Sequence, residues 1–280
     1  MTAPAAARPP RLVVFTDLDG TLLDARTYSA APARGALARL AAAGVPVVFC
    51  SSKTAAEQRP LREEHGLTQV PYIVENGAAI IVPAAAGLAL GEGGIAGADE
   101  GERVWALGRP FAEVKAGLRR AAAAAGVKAT GYAELTVAEI AARTGLDLPA
   151  AARARQRDCS ETLVDAWPEA EWTKLAAALA AEGLQAAHGG RFRTVTSVNV
   201  DKGRAVRWLA ERYAATGPVV TAGLGDAAND ASLLAAVDRP YLLAGRDGGW
   251  AEIGVPGVRK IAAAGPAGWS EAIAELLGET

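Results

Sequence analysis

The chain has two cysteines, two histidines, one methionine and only 5% aromatic residues among its 280. Cys50 and Cys159 are too few for a disulfide framework and have no metal-ligand spacing, and a reducing compartment suits such sparing use. With so few aromatic side chains, a core must be built from Val, Leu, Ile and Ala. A dominant charge sign is also missing, since 29 Lys and Arg face 31 Asp and Glu. A nucleic-acid surface needs a positive field, so no nucleic-acid partner is expected, although a local patch could still hold a small anion. No uninterrupted apolar run reaches the roughly 18 residues of a membrane span, and no membrane partner is expected. Met1 to Pro10 lacks the apolar stretch of a secretory signal. These ten residues read as a flexible tail, and the protein is expected in the cytoplasm as a monomer or dimer.

Apolar residues make up 51% of the chain, enough for a sizeable core. Leu12 to Phe15 is a short continuous apolar run, as in a buried strand of a parallel sheet. A helix is predicted from Pro32 to Ala43, stopped by Gly44, and a second strand from Val45 to Cys50. Thr54 and Glu57 form a capping box that opens a helix to His65. Tyr72 to Glu75 is a third strand, and Asn76-Gly77 predicts a hairpin into Ala79 to Val82. This alternation argues for a doubly wound, Rossmann-like α/β core with a parallel sheet. Residues 11–83 and 191–280 are assigned to that core. Residues 84–190 have a different texture and read as an inserted α+β domain. Its helices are predicted at Pro110 to Ala125, after Thr136 and at Pro168 to Ala181, with short strands near 161–164 and 184–187, and a further short strand is predicted just past its end, at 192–198.

Asp17 and Asp19 stand two apart just beyond the first strand. Ligands of open α/β sheets bind at that end. Two carboxylates so close repel, so one must be protonated or both must face a cation. Mg²⁺ takes oxygen ligands of this kind, together with substrate phosphate. A calcium loop of the helix–loop–helix type fits poorly, because a strand precedes the loop and Tyr28 stands at its twelfth position. A solvated turn remains the plain alternative. A second acidic loop, Gly225-Asp226-Ala227-Ala228-Asn229-Asp230, follows the strand predicted at Val219 to Ala222. Its glycines match a dinucleotide fingerprint, but Asp226 would set a carboxylate against the pyrophosphate. Asp226 and Asp230 are better explained as metal ligands or their surroundings. Ser51, at the end of the second strand, offers a hydroxyl and backbone N–H groups to a phosphate, or is an ordinary cap. Lys202 opens a helix, where a cation is unfavourable. It points to a bound anion, or is simply solvated.

In this order, the four pieces resemble the haloacid dehalogenase-like phosphatases. Val13 to Thr21 looks like that family's first motif, Ser51 its second, Lys202 its third, and Gly225 to Asp230 its fourth. The insertion resembles the α/β cap of the Cof-like branch, which covers the active site and selects the substrate. Within the branch, Cys50-Ser51-Ser52-Lys53-Thr54, Ile73 to Gly77, Gln156 to Glu161 and Gly189 to Phe192 are similar to the mannosyl-3-phosphoglycerate phosphatase subfamily. That subfamily tends to continue the last piece with an aromatic or apolar residue and then His; Arg193-Thr194 stand here.

The resemblance implies hydrolysis of a glycosyl-3-phosphoglycerate through an aspartyl-phosphate, with Asp17 as nucleophile and Asp19 as acid and base. Ser51 and Lys202 would serve the phosphoryl group. Mg²⁺ would be held by Asp17, the backbone carbonyl of Asp19 and Asp226, with Asn229 and Asp230 orienting the site. A small anionic sugar-phosphate substrate would meet Ser52, Lys53, Asn76, Arg157, Ser160, Glu161 and Arg191. The alternative within the branch is a phosphotransferase like phosphomannomutase, or a phosphatase of another sugar phosphate.

Overall fold

A computed structural model describes residues 10–91, 93–189 and 192–278. Most of the predicted flexible tail, residues 1–9, lies outside the described residues, and so does Arg191. In chain order, the first elements are β1 (Arg11–Thr16), α1 (Arg34–Ala42), β2 (Val47–Phe49), α2 (Ala55–Glu64), β3 (Tyr72–Val74) and β4 (Ala79–Pro83). Then come β5 (Ile95–Ala96), β6 (Glu102–Ala106), α3 (Phe111–Ala125), α4 (Val137–Thr144), α5 (Leu148–Ala154), β7 (Glu161–Leu163), α6 (Glu169–Ala181), β8 (Leu184–Gly189) and β9 (Phe192–Ser197). The chain ends with α7 (Lys202–Ala214), β10 (Val219–Gly225), α8 (Ala231–Leu234), β11 (Arg239–Ala244), β12 (Arg259–Ala264) and α9 (Gly265–Leu276).

The core sheet has the order β12-β11-β10-β1-β2, and every pairing in it is parallel. Parallel strands buried on both faces require apolar side chains on both sides of the pleat. Val14 points into the cluster formed with Leu37 and Leu40 of α1 and Trp269 and Ile273 of α9. Val13 and Phe15 point the other way, against Val206 and Leu209 of α7 and Leu233 and Leu234 of α8. Successive strands step from β1 to β2 on one side, and the chain later returns to β10 on the other. The crevice between β1 and β10 is therefore the topological switch point, where a ligand is expected beyond the carboxyl ends.

The third predicted strand joins this sheet through one parallel bridge, Cys50 to Ile73, and turns antiparallel into β4. The connection is wider than the predicted two-residue hairpin. Val74 pairs with Ala79, and Glu75, Asn76 and Gly77 all have positive φ. Gly77 (φ +90) is required here, because a Cβ would lie 2.2 Å from the Asp201 carbonyl oxygen. The turn thus packs directly against the residue that caps α7.

The expected boundaries at 83/84 and 190/191 cut through strand pairings. β6 pairs with β4, so residues 102–106 extend a core-side sheet. β9 pairs with β7 and β8, so residues 192–197 complete the sheet of the insertion. The latter is antiparallel, in the order β7-β9-β8, and one face is packed by α3 and α6 through Val114, Leu118, Leu175 and Leu179. Both capping boxes form as predicted, at Thr54–Glu57 and Thr136–Glu139. Among the described residues, no helix is long and apolar enough to cross a membrane.

Candidate active site

The parallel register of β1 and β10 sets Thr16 beside Leu224. The chain beyond each strand then carries Asp17 and Asp226 to neighbouring positions on one rim of the sheet. Their carboxylates and that of Asp230 offer oxygens that all lie within 4.8 Å of one another. Lys202 enters from the first turn of α7. Its Nζ stands 2.5 Å from Asp17 Oδ1 and 2.6 Å from Asp230 Oδ1. The cation at the unfavourable end of the helix is thus matched by two carboxylates.

The second oxygen of Asp230 accepts the backbone N–H groups of Asp226 and Ala227, at 3.0 and 3.1 Å. Asp230 is therefore a brace that fixes both Lys202 and the acidic loop. Thr21 Oγ1 donates to Asp226 Oδ1 at 2.7 Å. Gly20 (φ +88) makes room for that carboxylate, since a Cβ there would lie 2.5 Å from Asp226 Oδ2. Behind Asp17, Trp269 Nε1 donates to Thr16 Oγ1 at 3.0 Å, and that hydroxyl donates to the Asp17 carbonyl at 2.7 Å.

Burial drives the protonation of this cluster. It pushes Asp17 well above the usual carboxylate range; Lys202 opposes the shift, and Asp230 and Asp226 add to it. Burial, followed by Asp230, lifts Asp226 to about 6. Lys202 is buried too, which by itself would lower it, but Asp17 and Asp230 reverse the direction and hold it firmly charged. Three close carboxylates face one ammonium, an excess of negative charge that a divalent cation would relieve. Asp17, Asp226 and Asn229 all line the cleft. This donor set fits a hard cation.

Asp19 meets Lys53, with Oδ2 and Nζ 2.9 Å apart, while Oδ1 is buried without a partner among the described residues. The Asp19 side chain as a whole keeps 38% exposure. Lys53 also approaches Glu57 at 3.9 Å and lies over the Tyr28 ring. Both partners raise its affinity for the proton against the effect of burial.

A cavity of about 320 Å³ opens above these groups, between core and insertion. Asp17, Asp19, Ser52, Lys53, Asp226 and Asn229 line its core side. Tyr132, Arg157, Thr162, Phe192 and Thr194 line the cap side. Of the residues expected to bind substrate, Ser52, Lys53 and Arg157 reach this cavity. Arg157 Nη1 donates to Ser160 Oγ at 2.9 Å, and its Nε is buried without a partner among the described residues.

Other expected residues are placed elsewhere. Ser51 does not line the cavity and stands before the cap of α2 rather than at a helix start. Its N–H donates to the Ile73 carbonyl at 3.2 Å, and its Oγ accepts the Lys53 N–H at 3.3 Å. Asn76 lies beneath it, donating its N–H to the Ser51 carbonyl at 2.9 Å. Ser160 donates to Glu75, whose carboxylate also accepts the N–H groups of Asp158 (2.8 Å) and Cys159 (3.1 Å). Glu75 thereby ties the core turn to the insertion, a role the sequence reading did not find.

Glu161 points away from the cavity. Its carboxylate accepts the N–H groups of Tyr132, Ala133 and Thr162, at 3.0, 3.2 and 2.7 Å. Strand alternation explains the displacement. Leu163 pairs with Arg193 and Glu161 with Val195, and this set faces α3 and α6, where Arg193 lies 3.8 Å over the Trp172 ring. Thr162 and its partner Thr194 occupy the opposite face.

A model of the haloacid dehalogenase-like hydrolases matches residues 14–90. A glucosyl-3-phosphoglycerate/mannosyl-3-phosphoglycerate phosphatase of Methanococcoides burtonii is 35% identical over 95% of this chain and 97% of its own. A protein of the same description from Persephonella marina is 34% identical, covering 96% of this chain and 98% of its own. The fold is shared with a solved structure from Bacteroides thetaiotaomicron described among phosphatases of the haloalkanoate enzyme superfamily. That protein has a TM-score of 0.68 and 18% identity, and each chain is covered over 100% of its length. Full-length identity above a third, together with the placement of Asp17, Lys202 and Asp226, shows that the chain belongs to the haloacid dehalogenase-like hydrolase family, in the branch that holds these two relatives.

Proposed function

We propose that the protein is a Mg²⁺-dependent phosphatase that removes the phosphate of a glycosyl-3-phosphoglycerate, mannosyl or glucosyl, leaving the glycosylglycerate, a compatible solute. The observation that carries this reading is Lys202 bridging Asp17 and Asp230 on a rim that faces a cavity with cations on both walls, Lys53 below and Arg157 above. The names of the two relatives support the substrate class.

Phosphoryl transfer depends mainly on positioning and charge neutralisation. Asp17 attacks phosphorus in line, and the P–O bond to the glycerate oxygen breaks, leaving an acyl phosphate on Asp17. Asp19 gives its proton to that departing oxygen, then takes one from the water that attacks the acyl phosphate. Lys202 fixes the orientation of the Asp17 carboxylate. Asp17, the Asp19 carbonyl and Asp226 would hold Mg²⁺, with Asn229 and Asp230 supporting them; when bound, the ion offsets the negative charge between nucleophile and phosphate. Lys53 and Arg157 suit the glycerate carboxylate, the latter through its planar fork. Ser52, beside them, completes the polar floor.

Phosphate release should be measured over mannosyl- and glucosyl-3-phosphoglycerate, hexose phosphates and p-nitrophenyl phosphate. Preference for a glycosyl-phosphoglycerate is expected. Consumption of a sugar bisphosphate without release of inorganic phosphate would instead reveal a phosphotransferase.

A further inference from the structure

Thr162 and Thr194 form a cross-strand pair on β7 and β9, directly opposite one another. Side chains of such a pair share one face of the sheet at close range, and both line the cavity above Asp17. They are 4% and 6% exposed. Thr162 Oγ1 is fully buried and has no hydrogen-bond partner among the described residues. A desolvated hydroxyl without a partner is unfavourable, and its persistence in a native site calls for an explanation. Two aromatic rings, Tyr132 and Phe192, pack edge to face with centroids 6.3 Å apart. Both rings line the same cavity. Aromatic walls with a few convergent polar groups characterise a site for a small ligand that is part apolar and part hydroxylated.

The threonine pair differs in charge from the core side of the cavity, and on its own side Arg157 lies over the Tyr132 ring, 5.8 Å from its centroid. The core side carries Asp17, Asp19, Lys53 and Asp226, which suit phosphate, cation and carboxylate. The threonine pair is neutral and can both donate and accept. A sugar hydroxyl does the same, whereas a carboxylate or phosphate only accepts.

We propose that Thr162 and Thr194 form the sugar-recognition wall of the cap, each hydroxyl bonding a ring hydroxyl of the glycosyl group, with Tyr132 and Phe192 against its C–H faces. This rests on the reading of the substrate as a glycosyl-3-phosphoglycerate and extends it to the residues that select the sugar. A site that hydrogen-bonds a substrate hydroxyl discriminates strongly, because a lost partner leaves a buried polar group unpaired.

The test uses the full chain with Thr162→Val, Thr194→Val and Thr162→Ser, the valine variants preserving shape and removing the hydroxyl. The readout is the ratio of kcat/KM for the glycosyl-phosphoglycerate to that for p-nitrophenyl phosphate, which has no sugar. Each valine variant should lower this ratio by about fivefold or more, mainly through KM, and Thr162→Ser should restore it. An unchanged ratio in both valine variants, including parallel losses on the two substrates, would overturn the assignment. Should the wild type hydrolyse p-nitrophenyl phosphate but neither glycosyl compound, the proposed function would fall instead. The same ratio, taken on whichever hexose phosphate the wild type accepts, would then decide the wall separately: a selective loss sustains it and an unchanged ratio removes it.

Discussion

Lys202 Nζ lies 2.5 Å from Asp17 Oδ1, an ion pair between residues 185 positions apart, with Lys202 1% exposed. One buried ammonium therefore fixes the carboxylate assigned the nucleophilic role and, through Asp230, the loop that carries Asp226.

Replacing that ammonium leaves two buried carboxylates uncompensated. Lys202→Met should lower stability by about 3–5 kcal/mol, the usual cost of removing one partner from a buried pair. It should also remove nearly all turnover. Because the variant site is more negative, added Mg²⁺ should raise its melting temperature more than that of the wild type. Denaturation with and without Mg²⁺ checks both points, and an equal Mg²⁺ effect on the two proteins would contradict the cation reading.

Asp226 is held by Thr21 and given space by Gly20. Asp226→Ala should raise the Mg²⁺ concentration needed for half-maximal activity by at least about tenfold. A metal titration of phosphate release reads this directly; an unmoved midpoint would remove Asp226 from the ligand set.

Glu75 supplies a test that depends on pH. Burial raises its carboxyl above the ordinary 4.5, although Arg157, Ser160 and two backbone N–H groups pull the other way. A group whose folded value lies above its unfolded value favours the fold fully at pH below the unfolded value. That contribution is lost as pH rises through the folded value. Glutamine cannot titrate. The stability lost in Glu75→Gln should therefore be greatest below the ordinary value of 4.5 and shrink as the pH is raised above it. Urea denaturation across that window tests it, and a constant difference would show that the carboxyl is not shifted.

The meeting of Asp17 and Asp226 was legible because its signals are local. Asp17 and Asp226 each follow a continuous apolar strand, and such a strand in a parallel sheet aims the loop after it at one rim. The insertion was harder. Glu161 reads in sequence as a substrate contact, but a strand of three residues gives no alternation from which to fix its phase, and Thr162 lines the cavity instead. Nothing near Glu75 in sequence announces a tie to residues more than 80 positions away. β12, reading Arg-Lys-Ile-Ala-Ala-Ala, has no strand-like pattern and is set by pairing with β11. The glycine-rich stretch before β6 likewise hid β5, which is set by pairing with β6.

The central claim is that phosphate passes through Asp17. Acid quench of the enzyme during turnover of its phosphorylated substrate, followed by mass spectrometry of its peptides, tests this most directly. Phosphate on the peptide containing Asp17, absent from an Asp17→Asn variant that folds but does not turn over, is the predicted result. Near-normal phosphate release by Asp17→Asn, with no phosphate on that peptide in the wild type, would contradict it.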